Sequence, residues 1–116
     1  MEMTGEQIIS ASRSATWAAL HDPDTLTACI PGCESIERRS EHEFNLVMAA
    51  AFGPVKARFK GKLTVANVAE PNSYDIAFEG QGGAAGFAKG GAHVELTELK
   101  ESGQTHLAYS VHANVC

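Results

Sequence analysis

From Phe44 to Val65 the chain repeats with a period of two, broken only at Gly53-Pro54. Phe44, Leu46, Met48, Ala50 and Phe52 alternate with Asn45, Val47, Ala49 and Ala51. After the break, Val55, Ala57, Phe59, Gly61, Leu63 and Val65 alternate with Lys56, Arg58, Lys60, Lys62 and Thr64. Successive side chains of a strand point to opposite faces, so the pattern specifies a sheet with one buried face and one mostly wet face. If Phe52 pairs with Val55 across the turn, Met48 faces Phe59 and Phe44 faces Leu63. The two apolar faces then coincide. A slip of one residue would turn one strand's apolar set to water, so this register is strongly specified.

The rest of the chain extends the sheet. Pro71-Asn72 marks the next turn. Pairing across it sets Ala69 against Tyr74 and Val65 against Phe78 on the inner face. It sets Thr64 against Glu79 and Val68 against Asp75 on the outer face. Val94 and Leu96 follow, then a turn at Gly103, then Leu107, Tyr109, Val111 and Ala113 on one face of a last strand. Ser35 to Arg39 is a short polar strand, and Met3 to Ser10 reads as the first one. Between them, Ser12 is placed to cap a helix carrying Trp17 and Leu20 on one face. Asp22-Pro23 restarts a helix, with Asp as the cap and Pro at the first helical position. Leu26 and Cys29 or Ile30 give that helix an apolar side, and Pro31-Gly32 ends it. The order is strand, two short helices, then six strands joined largely by tight turns, which implies an antiparallel meander. The fold class is α+β, with about seven strands in one curved sheet.

With 116 residues the chain makes one domain, 1–116. Hydrophobic residues are 44% and charged residues 20%, a globular balance. The net charge of -5 disfavours a nucleic-acid binder. No apolar run approaches ~18 residues, and the acidic start, Met1-Glu2-Met3-Thr4-Gly5-Glu6, is unlike a signal peptide. A cytoplasmic protein is expected. Cys29 and Cys33 are separated by three residues, not the two of redox and zinc motifs, and Cys116 ends the chain. Three free thiols are expected, with a strained local bridge or a modified thiol as the alternative.

Six of the 11 glycines fall between Gly80 and Gly91. Gly80, Gly82 and Ala85 fit a relaxed dinucleotide fingerprint, but Gly86, Gly90 and Gly91 prevent the helix whose N-terminus would cradle phosphates. A strand connection needing positive φ or close backbone approach is expected instead. Phe87 would be the one large apolar tip of a flexible cavity rim. Lys56, Arg58, Lys60 and Lys62 put four of nine cations on one strand face. They form either a solvated face or a docking patch for anionic head groups or an acidic partner. His106 and His112 point away from the core. No histidine pair has zinc spacing, and no carboxylate is placed to orient one. No metal site is therefore expected, and no nucleophile–base–acid set can be assembled. The inner face carries few polar atoms: the hydroxyls of Tyr74 and Tyr109 and the amide of Asn67. Such a concavity describes a binding pocket better than an acid–base site.

Three stretches occur together: Thr27-Ala28-Cys29-Ile30-Pro31-Gly32-Cys33-Glu34, Gly53-Pro54-Val55-Lys56-Ala57, and the glycine-rich run from Gly82 to Gly91. Trp17-Ala18-Ala19-Leu20 before Asp22-Pro23, and Pro71-Asn72-Ser73-Tyr74, accompany them. In this order they resemble the carbon monoxide dehydrogenase G-subunit (CoxG) family of the START-like, or SRPBCC, superfamily, over essentially the whole chain. The resemblance implies a helix-grip fold: seven antiparallel strands curled around a C-terminal helix, with a lipophilic cavity between. It implies an accessory protein of a molybdenum-containing dehydrogenase, concerned with membrane recruitment or a quinone-like partner. It supplies no catalytic residues. The family continues into the gripping helix where this chain stops, so a domain without that helix is expected.

The leading expectation is non-enzymatic binding of a lipid or quinone-like molecule, with no cofactor. The ligand would contact Trp17, Met48, Phe59, Phe78, Leu107 and Tyr109. Peripheral contact with the inner membrane face would use Lys56, Arg58, Lys60 and Lys62. A homo-oligomer is expected, because two short helices cannot cover the apolar face. Two alternatives stand beside this: an enzyme of the polyketide cyclase/dehydratase-like class acting on a hydrophobic substrate, or a structural module receiving a partner's helix.

Overall fold

The computed structural model describes residues 2–30, 32–52, 55–82 and 86–115, without the side chains of 50–52, 55–57 and 115. Seven strands and two helices follow in the order β1 (Glu2–Ile9), α1 (Arg13–Leu20), α2 (Pro23–Cys29), β2 (Cys33–Arg38), β3 (Glu43–Phe52), β4 (Val55–Ala69), β5 (Ser73–Gln81), β6 (Phe87–Leu99) and β7 (Gln104–Val115). They form one antiparallel sheet ordered β1-β7-β6-β5-β4-β3-β2. Strands β2 to β7 are a meander, and β1 closes against β7. The two helices therefore connect opposite edges of the sheet and must pass over one of its faces.

Both helices start as the capping residues dictate. Ser12 Oγ accepts from the Ala15 N–H at 3.1 Å, satisfying one orphan donor of α1. Asp22 takes the Asp24 N–H at 3.3 Å and the Thr25 hydroxyl at 2.6 Å, with Pro23 at the first position of α2. The Thr25 hydrogen bond, first among its causes, holds the Asp22 carboxyl below its ordinary pKa. α1 lies on β6 and β7, whereas α2 packs on β2 and α1. The apolar side expected of α2 is only partly covered. Leu26 is half-buried, but Cys29 and Ile30 are exposed, because seven residues at a sheet edge have little to pack against. Cys29 and Cys33 are free thiols. Pro31, Cys116 and the Gly53-Pro54 turn lie outside the described residues.

The β3–β4 register follows the alternation: Phe52 pairs with Val55, Met48 with Phe59 and Phe44 with Leu63. The β4–β5 register does not follow the expected one. Phe78 pairs with Leu63 rather than Val65, and Val65 pairs with Ile76. Ala69 meets Ser73 rather than Tyr74. On the outer face Thr64 meets Ala77, Lys62 meets Glu79, and Ala66 meets Asp75. Two one-residue irregularities cause the shift. The loop is Glu70-Pro71-Asn72, one residue longer than expected, and β4 bulges between Ala66 and Ala69. Asn67 sits in that bulge at φ 51, a left-handed conformation that Asn tolerates. Either irregularity alone would exchange the two faces of β5; together they restore them.

The core gathers where α1 crosses the sheet. Trp17, Tyr74, Val94 and Leu96 are buried together, with Leu20, Val65, Ile76, Leu107 and Tyr109 packed against them. Trp17 meets the Tyr74 ring edge-on at 5.1 Å. Burial, which penalises the phenolate, pushes the Tyr74 phenol up to about 12. Glycines of the rich run serve packing and turning. Gly86 has φ +97 and its carbonyl accepts from the Gly82 N–H at 2.9 Å, while any side chain at Gly82 would strike the Phe59 ring.

Candidate functional site

The inner face divides into a covered half and an open half. Beneath α1, three of the residues expected to bind a ligand are part of the packing itself: Trp17 is buried, and Leu107 and Tyr109 press against it. Met48, Phe59 and Phe78 lie on β3, β4 and β5, half-buried and outside that cluster. Met48 and Phe59 are directly paired, and the Phe78 ring lies over Gly90. The six residues thus share a face but not a pocket. Asn67 does not belong to this face. The bulge turns its amide outward, where it donates to Asp75 Oδ2 at 2.7 Å.

A cavity of about 190 Å³ opens at the edge of the core, lined by Trp17, His21, Arg38, Phe44, Val65 and Val68, with Glu41, His42 and Glu70 beside them. Of the six expected ligand residues only Trp17 touches it. His21 is its least predictable member. It ends α1, stacks on Trp17 at 4.5 Å, and meets Tyr74 at 4.6 Å. Arg38 donates to the His21 carbonyl at 2.9 Å, and its guanidinium lies 5.1 Å from the Phe44 ring centre. The polar strand expected at Ser35 to Arg39 thus contributes an inward-facing cation.

A larger groove, about 480 Å³, lies on the outer face from β2 to β5 and the start of β6. Ser35, Glu37, Asn45, Val47, Lys60, Lys62, Glu79, Gln81 and Phe87 line it. Phe87, expected as the apolar tip of a flexible cavity rim, lines this outer, polar groove. The cationic strip is diluted by carboxylates. Arg58 bonds Glu34 at 2.9 Å, and Lys62 lies 3.7 Å from Glu43. Lys60 has no ion-pair partner among the described residues. The Lys56 side chain lies outside the described ones.

One histidine is oriented by carboxylates, against expectation. His93 Nδ1 lies 2.5 Å from Asp75 Oδ1, and Nε2 lies 3.0 Å from Glu95 Oε1. Register explains it: Asp75 and His93 are paired across β5 and β6, and Glu95 is two residues on, hence on the same face. Hydrogen bonding, first to Asp75 and then to Glu95, raises the His93 pKa. Asn67 first, and then His93, lower that of Asp75. With both ring nitrogens engaged, His93 has no free lone pair for base catalysis or metal ligation. Among the described residues no group of three or more His, Cys, Asp or Glu is arranged to hold a metal ion. No helix there is long and apolar enough to cross a membrane.

A curved seven-stranded antiparallel sheet with two helices between its first two strands is the START-like fold. A START superfamily protein from Mycobacterium smegmatis superposes with a TM-score of 0.71 at 16% identity, over 99% of this chain and 77% of that one. A conserved protein from Geobacillus kaustophilus gives 0.89 at 26% identity, over 100% of this chain and 75% of its own. A protein from Rhizobium leguminosarum gives 0.72 at 12% identity, over 97% and 76%. No functionally curated protein matches in sequence. The family profile of the carbon monoxide dehydrogenase G-subunit, CoxG, matches residues 5–116, and the chain belongs to that family.

Proposed function

We propose that the protein is a non-catalytic, cytoplasmic accessory of a carbon monoxide dehydrogenase-type, molybdenum-containing oxidoreductase, and that it carries a lipid or quinone-like molecule on its inner face. The family supports the partner. One observation carries the ligand: beyond the buried Phe44 and Tyr74, the described inner side chains towards the middle of β3, β4 and β5 are apolar yet only half-buried. Met48, Phe59, Leu63 and Phe78 remain partly open, while the helices lie on β6, β7 and β2. Apolar area left at a concave face is favourable to cover. The cluster of Asp75, His93 and Glu95 lies on the other face and is closed on itself, which speaks against an acid–base enzyme. Extraction of the purified protein with organic solvent, followed by mass spectrometry, should release a lipid or quinone-like compound. Release of a nucleotide or sugar phosphate instead would overturn the reading.

The same half-open face favours a second reading, in which another copy of the chain packs against it. Monomers seldom expose a contiguous apolar patch much above a few hundred Å². Native mass spectrometry separates the two, since one reading gives a monomer with retained mass and the other an empty dimer. Membrane contact, in this proposal, uses Lys60 with Lys56, Arg58 and Lys62. It should weaken as salt rises, because exposed charges are screened beyond ~8–10 Å at physiological ionic strength.

A further inference from the structure

We propose that β1 is a docking edge for a second copy of this chain, the two β1 strands pairing antiparallel about a two-fold axis centred on Gly5. The inference goes beyond the ligand-binding reading and does not rest on it, since this pairing leaves both inner faces open.

The sheet has two edges, β1 and β2, and only β2 is blunted. β2 is six residues long, its register shifts between Cys33 and Ser35, it ends on Glu37 and Arg38, and α2 packs on it. Short length, a bulge, mixed charge and a covering helix are what keep an edge from pairing. β1 has no bulge and no cover. Its eight residues hold no proline and no lysine, and all eight pair with β7 without a shift. β7 is the one element on which it packs extensively. The row of backbone N–H and C=O groups along its free side is therefore a template for another strand. Two of the four exposed large apolar side chains among the described residues, Met3 at 55% and Ile8 at 53%, also lie on β1.

The sequence of β1 selects the partner. Opposed residues of an antiparallel pair point to the same face, and a two-fold axis normal to the sheet keeps both inner faces on one side. Only registers that match residues of like parity are then open. Centred on Gly5, Glu2 meets the partner's Ile8, Met3 meets the partner's Gln7, and Thr4 meets the partner's Glu6. No carboxylate opposes another. The next permitted register on one side sets Glu2 against Glu6, and on the other it sets Glu6 against Glu6. Like charges directly opposed disfavour both. Gly5 also suits the centre. Any side chain there would strike the Tyr109 hydroxyl, so the Tyr109 ring already lies over Gly5 and reaches the edge of the sheet. Pairing about Gly5 sets the two Tyr109 rings side by side over the axis, where they cover the bare central pair.

Sedimentation equilibrium of the full chain tests this. The wild type should be a mixture of monomer and dimer that shifts with concentration. Ile8 is exposed, so Ile8→Lys and Ile8→Glu should both fold, as melting of dilute samples checks. The new residue faces the partner's Glu2 twice in each dimer, where lysine attracts and glutamate repels. The dissociation constant of Ile8→Glu should therefore exceed that of Ile8→Lys by about tenfold or more. Arg39→Glu is the control. It lies in the exposed link between β2 and β3, and it makes the same difference in net charge as separates the two Ile8 variants. It should leave the wild-type dissociation constant unchanged. Equal dissociation of the two Ile8 variants would mean that the copies are joined elsewhere, and it overturns the pairing. A wild type that stays monomeric up to millimolar concentration also overturns it. An Arg39→Glu dimer weakened as much as that of Ile8→Glu overturns the register, because net charge alone would then govern association. The ligand-binding reading stands or falls separately, on the solvent extract.

Discussion

Thr105 offers a clean measurement of what holds α1 over the sheet. Its side chain is completely buried, at 0% exposure, and its hydroxyl donates to the Ala11 carbonyl at 2.8 Å. That bond ties the start of β7 to the link between β1 and α1, the helix that carries Trp17 and ends at His21. Thr105→Val keeps the shape and removes the donor. A lost hydrogen bond costs about 1 kcal/mol, and more if the Ala11 carbonyl stays dry, so about 1–2 kcal/mol is expected. For a domain of this size that lowers Tm by about 4–8 °C. Thr105→Ser is the control. It keeps the hydroxyl and deletes one methyl, worth about 0.8–1 kcal/mol with a small cavity term added. The assay is thermal unfolding followed by the fluorescence of Trp17, the single tryptophan. It reports directly on the element that the bond secures. If Thr105→Val melts within about 1 °C of the wild type while Thr105→Ser falls, methyl burial and not the hydrogen bond holds the junction, and the argument fails.

Stability should depend on pH through the outer cluster. The raised His93 pKa contributes below its ordinary 6.5 and is lost as pH rises through the folded value, whereas the lowered Asp75 pKa contributes above 3.8 and is lost as pH falls. The deficit of His93→Gln should thus be largest between those limits and shrink on either side of them, in urea titrations run across pH; a deficit independent of pH would refute the clamp. Gly90→Ala should destabilise by about 1–3 kcal/mol, because the new methyl meets the His112 carbonyl and the Phe78 ring, as chemical denaturation can check. At Asn67, whose φ is 51, Gly should be tolerated while Val should cost about 1–2 kcal/mol of the left-handed penalty. Equal melting of the Asn67→Gly and Asn67→Val variants would argue that the bulge relaxes away.

What is legible in the sequence is whatever a period of two or a cap residue encodes. The β3–β4 hairpin can be registered from Phe52 and Val55 alone, because each strand has only one face fit for burial. Ser12, and Asp22 with Pro23, announce both helices, because a cap is a local bond. The β4–β5 register escapes because it depends on Asn67 adopting a positive φ, for which the only signal is an Asn within a strand. The same residue explains a second miss. Parity assigns its amide to the inner face, and a bulge breaks parity. The His93 cluster is hidden for the same reason, since the partners of Asp75 cannot be named until the sheet is in register. Phe87 stands out as the one large apolar residue of the glycine-rich run, which suggests a cavity rim but not on which face. Its strand parity, opposite to that of Val94 and Leu96, is the better guide and points outward.

His21 shows a different limit. Its fixed nitrogen is bonded to the Trp17 main chain, and no side-chain pattern records such a bond. The outer face is rich in ionisable groups, and several of them satisfy one another: Asn67, Asp75, His93 and Glu95 in one network, Arg58 with Glu34, Lys62 with Glu43. The inner face is nearly charge-free and would accept any apolar body of suitable size. Among the described residues His21 Nε2 is the one buried side-chain atom left without a partner, closed in between the Trp17 and Tyr74 rings. The packing of α1 on the sheet therefore outweighs the cost of that one unpaired acceptor, as burial of three aromatic rings together can.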